Sequence, residues 1–361
     1  MRRRKTAGRR RAADSGGDAV YLGIDTSNYR TSICLIDADG TVLLDRRWLV
    51  PVAPGTVGAR QSEAVFFHVR TLGRAAAEIR AALSGRRLRA VAASARPRPV
   101  EGSYMPVFEV GRAFGRFLAA GAGVPFYETT HQEGHIAAFD RLEASGPFWA
   151  LHLSGGTTEL LDVAPVPGGY RIAVRGGTRD VTVGQLIDRI GVRLGCPFPA
   201  GPCLEALARQ AEEAAARAIA VPVRSSDGAV HLSGSEAALL RAIDRGAPPA
   251  AVARATEAAV ARAIEKIVRG GAKEVRPLVL VGGVVANAFI RRRVEERLGR
   301  RFPLRFAPPE LAGDNGCGVA WIARVRERLG HPSDELPAEA PPAAEALGGR
   351  RVGKHEQSDG A

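Results

Sequence analysis

Apolar and polar positions along the chain form two kinds of segment. Runs of strand length that are rich in Val, Leu and Ile alternate with Ala- and Arg-rich segments of helical periodicity. The runs that predict strands are 20–24, 31–36, 148–153, 159–163 and 278–281, and the segments that predict helices are 63–83, 114–120, 183–194, 203–218, 250–268 and 288–298. Regular alternation of the two is typical of the α/β class.

One local plan occurs twice: a strand, a short polar turn and a second strand. The first copy spans 20–36, and the second spans 148–163 around the turn Ser154-Gly155-Gly156-Thr157-Thr158. Two such turns that face each other across a cleft offer backbone N–H groups to an anion. The repetition therefore predicts two related halves, although two ordinary hairpins explain it about equally well.

A third motif joins the apolar run 278–281 to Gly282-Gly283-Val284 and a following helix. A buried strand that enters a glycine turn lets a nucleoside or phosphate approach the backbone closely. The GxGxxG spacing is absent, so a Rossmann-type dinucleotide site is not supported.

Charge and composition narrow the class of protein. The 361 residues include 51 Lys+Arg and 38 Asp+Glu, a net charge of +13. This excess suits a polyanionic partner such as RNA, but an Arg-rich chain also follows from GC-rich coding. No apolar run approaches the roughly 20 residues of a membrane-spanning helix. We therefore expect no membrane association. The four cysteines lack CxxC spacing and are too sparse for a disulfide scaffold, which favours a reducing, cytoplasmic location.

The ends of the chain differ in composition from its middle. Residues 1–19 predict a disordered basic tail, and residues 331–361 predict a disordered Pro- and Ala-rich tail. Between them we expect an N-terminal lobe over 20–145 and a C-terminal lobe with a helical insert over 146–330.

Two histidines have the spacing of metal ligands. His131 and His135 stand four residues apart at a predicted helix start, so they share one helix face. Gln132 occupies the position of the glutamate in the zinc-protease motif HExxH, which argues against a protease. Asp314, in a glycine-rich turn before an apolar helix, is the best candidate for a third ligand, for either Zn(II) or Fe(II). Polar packing of the histidine pair and a helix-capping role for Asp314 are the alternatives.

Together these motifs resemble the TsaD family, also called Gcp, the tRNA N6-adenosine threonylcarbamoyltransferases. The resemblance runs collinearly from about residue 20 to 330 through Gly23-Ile24-Asp25-Thr26-Ser27, His131-x-Glu133-Gly134-His135, Leu153-Ser154-Gly155-Gly156-Thr157-Thr158, Gly184 to Asp188, Pro199-Ala200-Gly201-Pro202, Gly282-Gly283-Val284 with Ala286-Asn287, and Asp314-Asn315-Gly316.

The resemblance implies a two-lobed actin-like and heat-shock-ATPase-like (ASKHA) fold around a central cleft. It further implies metal-assisted transfer of a threonylcarbamoyl group from threonylcarbamoyl-adenylate to N6 of the adenosine adjacent to the tRNA anticodon. One divalent metal, Fe(II) or Zn(II), ATP or an acyl-adenylate as ligand, tRNA, and TsaB-like or other partner subunits follow from the same comparison.

The same resemblance implies the site residues, position by position. The implied metal ligands are His131, His135 and Asp314. The residues implied to hold the adenylate and its ribose are His152, Leu153, Ser154, Gly155, Gly156, Asp188, Gly201 and Asn287. No catalytic residue is assigned.

The chain departs from the family pattern at four places. The family turn Ser-Cys-Asp-Glu-Thr reads Ser27-Asn28-Tyr29-Arg30-Thr31, and the Gly-Pro-Gly-Leu loop corresponds to Arg96-Pro97-Arg98-Pro99. Thr157 replaces the usual His or Asn, and Glu236 replaces a lysine. The alternative function is therefore a catalytically altered or inactive TsaD-like paralogue that acts as a nucleotide- and metal-binding partner protein.

Overall fold

The computed structural model of the chain describes residues 18–334. Most of both predicted tails, residues 1–17 and 335–361, therefore lies outside the described residues. The start of the second predicted tail contacts the first sheet, because the amide of Asp334 donates to the carbonyl of Phe126 over 2.8 Å.

The first sheet has five strands in the order β3-β2-β1-β4-β5. Strands β1 to β3 form an antiparallel meander, and β4 and β5 extend it in parallel on the other side of β1. The strands are β1 (Ala19–Thr26), β2 (Arg30–Asp37), β3 (Val42–Leu49), β4 (Arg87–Arg96) and β5 (Phe126–Thr130), and the helices of this half are α1 (Gln61–Leu83), α2 (Pro106–Ala122) and α3 (His131–Asp140).

The second sheet has seven strands in the order β12-β11-β6-β7-β8-β10-β9. Its strands are β6 (Phe148–Leu153), β7 (Thr158–Val166), β8 (Gly169–Thr178), β9 (Arg224–Ser226), β10 (Ala229–His231), β11 (Leu278–Val281) and β12 (Leu304–Phe306). The remaining helices are α4 (Val183–Arg193), α5 (Gly201–Ala208), α6 (Glu213–Ala218), α7 (Ser233–Asp244), α8 (Pro249–Gly271), α9 (Ala288–Leu298), α10 (Pro309–Ala312) and α11 (Cys317–Arg328), with a 3-10 turn at Gly283–Ala286.

The two sheets repeat one topology. Strands β8-β7-β6-β11-β12 have the same order and the same directions as β3-β2-β1-β4-β5, with β9 and β10 added at one edge. The predicted α/β fold with two related halves is therefore confirmed.

Helix α8 forms the centre of the second half. Pro249 begins it, and Val252, Ala259, Ile264 and Ile267 are completely buried against the sheet and the neighbouring helices. An Ala-rich helix can bury most of its circumference because small side chains let its neighbours approach closely. The segment that joins β8 to α8 differs from the prediction, because residues 203–218 form two helices, α5 and α6, separated by a turn.

Helix α11 follows the second sheet in sequence but packs on the first. It contacts β1, β2, β4 and α3, and its Ala320 and Trp321 join a buried apolar cluster with Tyr21 and Tyr127. The lobe boundaries at residues 20–145 and 146–330 remain a prediction. The last helix, α11, lies on the N-terminal sheet although it belongs to the second range.

Two further features of the described chain concern cysteine chemistry and membranes. Cys196 and Cys203 form a disulfide across the loop before α5, whereas Cys34 and Cys317 are buried free thiols. The sequence does not predict this bond, because its spacing matches no common motif. Among the described residues no helix is long and apolar enough to cross a membrane.

Candidate metal and nucleotide site

Helix α3 presents the histidine pair on one face. Its N-cap residue Thr130 accepts a hydrogen bond from the amide of Glu133 over 3.1 Å, which fixes the first turn. The Nε2 atoms of His131 and His135 are 3.2 Å apart, and both rings are largely buried. The predicted helix start is therefore observed, and it directs both imidazoles to one point.

Asp314 lies at the same point. Its Oδ1 atom is 3.3 Å from Nε2 of His135 and 3.6 Å from Nε2 of His131, while its Oδ2 atom accepts a short hydrogen bond from the Ser27 hydroxyl. Asn315 caps α11 in its place, accepting from the amide of Cys317 over 3.0 Å. The capping alternative for Asp314 thus has no support in the structure.

The spacing of these atoms fits a divalent cation. Two ligands of a tetrahedral Zn(II) with bonds of about 2.0–2.1 Å are separated by about 3.3 Å. The three atoms of His131, His135 and Asp314 are 3.2–3.6 Å apart. Asp25 accepts a hydrogen bond from Nδ1 of His131 over 2.9 Å. A carboxylate in this position commonly orients an imidazole that binds a metal through its other nitrogen. Both the three donor atoms and the Asp25 carboxylate that orients His131 therefore suit a divalent cation.

A third imidazole belongs to this cluster. The His152 ring is 4.6 Å from the His135 ring, and neither of its nitrogens has a hydrogen-bond partner among residues 18–334. The ligand atoms of His131, His135 and His152 all lie within 4.8 Å of one another. Burial first, and then the charges of His135 and His131, hold the pKa of His152 well below its usual range, so its ring is neutral. His152, one of the residues implied for the adenylate, thus lies in the cluster of His131, His135 and Asp314.

Strand alternation contains the signal that places His152 here. On β6, Leu151 and Leu153 face the core around α8, while Phe148 and Ala150 face the core beside α3. His152 continues the second series, because successive side chains point to opposite faces of a strand. The sequence alone does not reveal that α3 covers that face.

The cluster is also electrostatically coupled. Burial lowers the pKa of His131, but the carboxylates of Asp25 and Asp314 outweigh burial and raise it to about 9. Burial raises the pKa of Asp314, but His131 and His135 and the hydroxyl of Ser27 together hold it well below its usual range. A carboxylate that stays ionised at this depth is suited to a cationic ligand.

A cavity of about 240 Å³ lies in the second half, beside the turn that follows β6 and His152. Among the residues that line it are Gly155, Asp188, Gly201 and Asn287, four of those implied for the adenylate. Gly282 has a φ of 100°, and a Cβ there would lie 2.6 Å from the carbonyl carbon of Leu153. Only glycine therefore allows the end of β11 to turn this tightly beside β6.

Two of the polar side chains in this cavity, Asp188 and Asn287, are held in place by hydrogen bonds to their neighbours. Asp188 accepts from the Ala200 amide over 2.8 Å, and burial raises its pKa to about 6. Asn287 caps α9 through its oxygen and donates to Glu257 over 2.7 Å. One carboxylate oxygen of Asp188 and one amide hydrogen of Asn287 remain for a ligand.

The turn after β6 offers two backbone donors. The amide of Ser154 already donates to the Thr157 carbonyl over 2.8 Å, and Leu153 is fully buried. In the described chain the amides of Gly155 and Gly156 have no hydrogen-bond partner, but only Gly155 of the two lines this cavity. One free backbone donor of this turn, the Gly155 amide, is therefore available to an anion in the cavity.

Two of the residues that depart from the family pattern, Tyr29 and Arg98, connect the halves. The Tyr29 ring stacks on Phe198 with centroids 5.7 Å apart and covers Gly155 of the opposite turn. Arg98 forms an ion pair with Glu159 over 2.7 Å. These contacts join the first half to the second directly beside the cavity.

A family profile described as "TsaD: tRNA N6-adenosine threonylcarbamoyltransferase" matches residues 62–321. The chain belongs to the TsaD family. A tRNA N6-adenosine threonylcarbamoyltransferase of Thermus thermophilus is 36% identical over 230 residues, 63% of this chain and 69% of that protein. One of Methanopyrus kandleri is 30% identical over 334 residues, 89% of this chain and 92% of that protein. The TsaD resemblance inferred from the motifs is thereby confirmed.

Solved structures support the fold. Component A of the (R)-2-hydroxyglutaryl-CoA dehydratase of Acidaminococcus fermentans has a TM-score of 0.52 and 12% identity, covering 86% of this chain and 99% of that chain. The two-sheet α/β architecture of this TsaD-family chain is of the ASKHA type, as the motifs predict.

Proposed function

We propose that the chain transfers a threonylcarbamoyl group from threonylcarbamoyl-adenylate to N6 of the adenosine adjacent to the tRNA anticodon. Membership in the TsaD family supports tRNA modification of this general kind. The observation that carries the proposal is the convergence of His131, His135 and Asp314 beside a cavity lined by glycine turns and Asp188.

In this proposal the 240 Å³ cavity holds the nucleotide portion of the donor. The free oxygen of Asp188 accepts a hydrogen bond from a ribose hydroxyl, and Gly201 and Asn287 form other parts of the cavity wall. The amide of Gly155, in the wall of this cavity, donates to the phosphate, which becomes the leaving group as AMP. Other nucleotides such as ATP would use the same contacts.

In the transfer, N6 of the adenosine forms a bond to the carbamoyl carbon, the bond from that carbon to the phosphate oxygen breaks, and one proton leaves N6. His131, His135 and Asp314 would hold one divalent cation, with His152 beside them, and Asp25 and Ser27 orient this set. A bound cation supplies Lewis-acid polarisation of a carbonyl oxygen. The donor spacing does not choose between Fe(II) and Zn(II).

The proposal also includes tRNA as the acceptor of the acyl group and further protein subunits as partners. The net charge of +13 favours a polyanionic acceptor such as tRNA. We include TsaB-like partner subunits in the proposed assembly because the resemblance implies them, and a cytoplasmic site of action is consistent with a tRNA acceptor.

The test is transfer by the purified full-length chain. Threonylcarbamoyl-adenylate, an unmodified acceptor tRNA and partner subunits are supplied, and the modified nucleoside is measured by mass spectrometry. We expect product from the wild type and none from Asp314→Asn or His135→Ala. His231→Gln, which changes a half-exposed histidine beside Asp180, is the matched control and should retain activity. Absence of product from the wild type, in conditions where an established family member works, would refute the proposal.

A second candidate function is favoured by Tyr29 and Arg98. The family's acidic and glycine positions are replaced here by residues that bridge the halves. We therefore retain a nucleotide- and metal-binding partner protein without transferase activity as the alternative. Stoichiometric metal and AMP binding without any transfer would establish this function in place of the first.

A further inference from the structure

A second, smaller cavity of about 140 Å³ adjoins the nucleotide cavity. The two share Gly155, Asp188, Pro199 and Gly283 in their walls, and the smaller one extends to Asp314. A donor whose nucleotide occupies the larger cavity therefore has its acyl group directed into the smaller one, beside the cluster of His131, His135 and Asp314. We call this smaller cavity the acyl chamber, and its residues should distinguish one acyl group from another.

Arg30 provides a cation in the wall of this chamber. Its Nη1 atom donates to the main-chain oxygen of Asp314 over 3.4 Å and lies 3.1 Å from the position that a Cβ on Gly313 would occupy. No carboxylate within residues 18–334 forms an ion pair with it. The two acidic residues of the chamber have other partners: Asp314 contacts the histidines and Ser27, and Asp188 accepts from the Ala200 amide with one oxygen and, in the proposed function, from the ribose with the other.

Tyr29 closes the chamber on another side. Its ring lies between Phe198 and Gly155, so it is fixed by contacts to the second half. Burial, together with the charges of Asp188 and Asp314, raises its pKa to about 12, so its hydroxyl remains a potential donor. A guanidinium and a phenol hydroxyl in one wall form a surface that suits an anionic group of a ligand.

The donor of the proposed reaction carries such a group. Its acyl portion ends in the carboxylate of threonine, which needs a charge-assisted partner when it leaves water. A guanidinium is the side chain best matched to a carboxylate, because its paired N–H groups reach both oxygens.

We propose that Arg30 is a specificity-determining residue that binds the carboxylate of the donor's amino-acid portion. The proposal rests on the proposed function, since it assumes an acyl-adenylate in the two cavities. With the nucleotide held at one end and the carboxylate at the other, the reacting carbonyl lies between them, next to the histidine cluster. Arg30 would thus select acyl groups that end in a carboxylate.

The test compares two non-hydrolysable analogues of threonylcarbamoyl-adenylate, one with the carboxylate and one with a neutral amide in its place, and AMP as the reference. Calorimetry on the full chain should show that the wild type prefers the carboxylate analogue by roughly 10- to 100-fold. Arg30→Ala should reduce this ratio to nearly 1 with AMP affinity unchanged, and Arg30→Lys should retain part of it. Arg193→Ala, which removes an exposed arginine paired with Asp244, is the matched control.

The outcomes separate this proposal from the proposed function. A full carboxylate preference in Arg30→Ala, or no preference in the wild type, would overturn the assignment of Arg30. If the preference depends on Arg30 but no tRNA product forms, the assignment stands and the transferase function fails. Failure of the wild type to bind AMP or either analogue overturns both. Thermal unfolding of each variant establishes that a lost preference does not reflect a lost fold.

Discussion

The close crossing of α11 and α3 offers a direct way to perturb the candidate metal centre without touching it. Gly318, in the first turn of α11, packs against the backbone of α3 at Gly134 and Ala138. A Cβ at position 318 would lie 2.8 Å from the carbonyl carbon of Gly134, closer still to its oxygen, and 2.6 Å from the amide nitrogen of Ala138. The substitution Gly318→Ala therefore forces the two helices apart.

The size of the effect follows from these distances. Carbon contacts normally lie at about 3.5–4.0 Å, so α11 must withdraw from α3 by roughly 1 Å. Overpacking of this kind costs about 1–3 kcal/mol of unfolding free energy. Asp314 lies three residues before the start of α11, and its Oδ1 atom lies 3.3 Å from Nε2 of His135 on α3. Metal ligation tolerates errors of only about 0.2 Å, so we expect divalent-metal affinity to fall at least about 10-fold.

The assay is competition for Co(II) or Zn(II) between the purified chain and a chelating dye, with thermal unfolding measured in parallel. Gly73→Ala in α1 is the matched control, because a Cβ there meets nothing within 4 Å and alanine favours a helix interior. This control should bind metal normally and unfold no earlier than the wild type. Unchanged metal affinity in Gly318→Ala, despite a lowered unfolding temperature, would refute the coupling of the helix crossing to the site.

Three further predictions address the support of the two sites. Asp25→Asn should lower metal affinity about 10- to 100-fold in the same dye competition, because it removes the carboxylate that orients His131; equal affinity would contradict this role. Burial raises the pKa of Glu257 from 4.5 to about 7, so the folded chain keeps a proton that the unfolded chain releases, and the free energy of unfolding falls as pH rises through this window. This change amounts to roughly 3 kcal/mol of unfolding free energy between pH 4.5 and 7. Glu257→Gln should remove it in urea unfolding measured at several pH values, and an unchanged pH dependence would assign the effect to another group. Thr182→Ala should cost about 1 kcal/mol in urea unfolding, because it breaks the capping box with Gln185 at the start of α4; no loss would show that the cap is not stabilising.

Local patterns predict most of the elements of this fold. The hairpins at 20–36 and 148–163, the helix that begins at His131 and the apolar strand at 278–281 are all observed, because alternation and helical periodicity are properties of short segments. The implied set His131, His135 and Asp314 is likewise brought together, although its metal remains a proposal.

Contacts between distant segments explain what the sequence does not reveal. The packing of α11 on the first sheet joins residues about 300 positions apart, as in the hydrogen bond from Ser27 to Asp314. His152 reaches the histidine cluster only because α3 covers one face of β6. The disulfide between Cys196 and Cys203 depends on a loop conformation that no periodicity specifies. The first two are tertiary relations without a local signature, whereas the disulfide, over a separation of 7 residues, depends on the local geometry of one loop.

The chain divides the candidate chemistry unequally between its halves. Of the implied metal ligands, His131 and His135 lie on α3 and Asp314 lies in the turn before α11, while Asp25 lies on β1. Helix α11 packs against the first sheet. The residues that line the 240 Å³ cavity, the proposed nucleotide site, belong to the second half. The departures at Tyr29, Arg30 and Arg98 lie at the junction and leave the first set intact, which means that metal binding need not change with them. Substitutions at the junction should therefore alter the choice of acyl group, whereas substitutions around α3 and α11 should alter metal affinity.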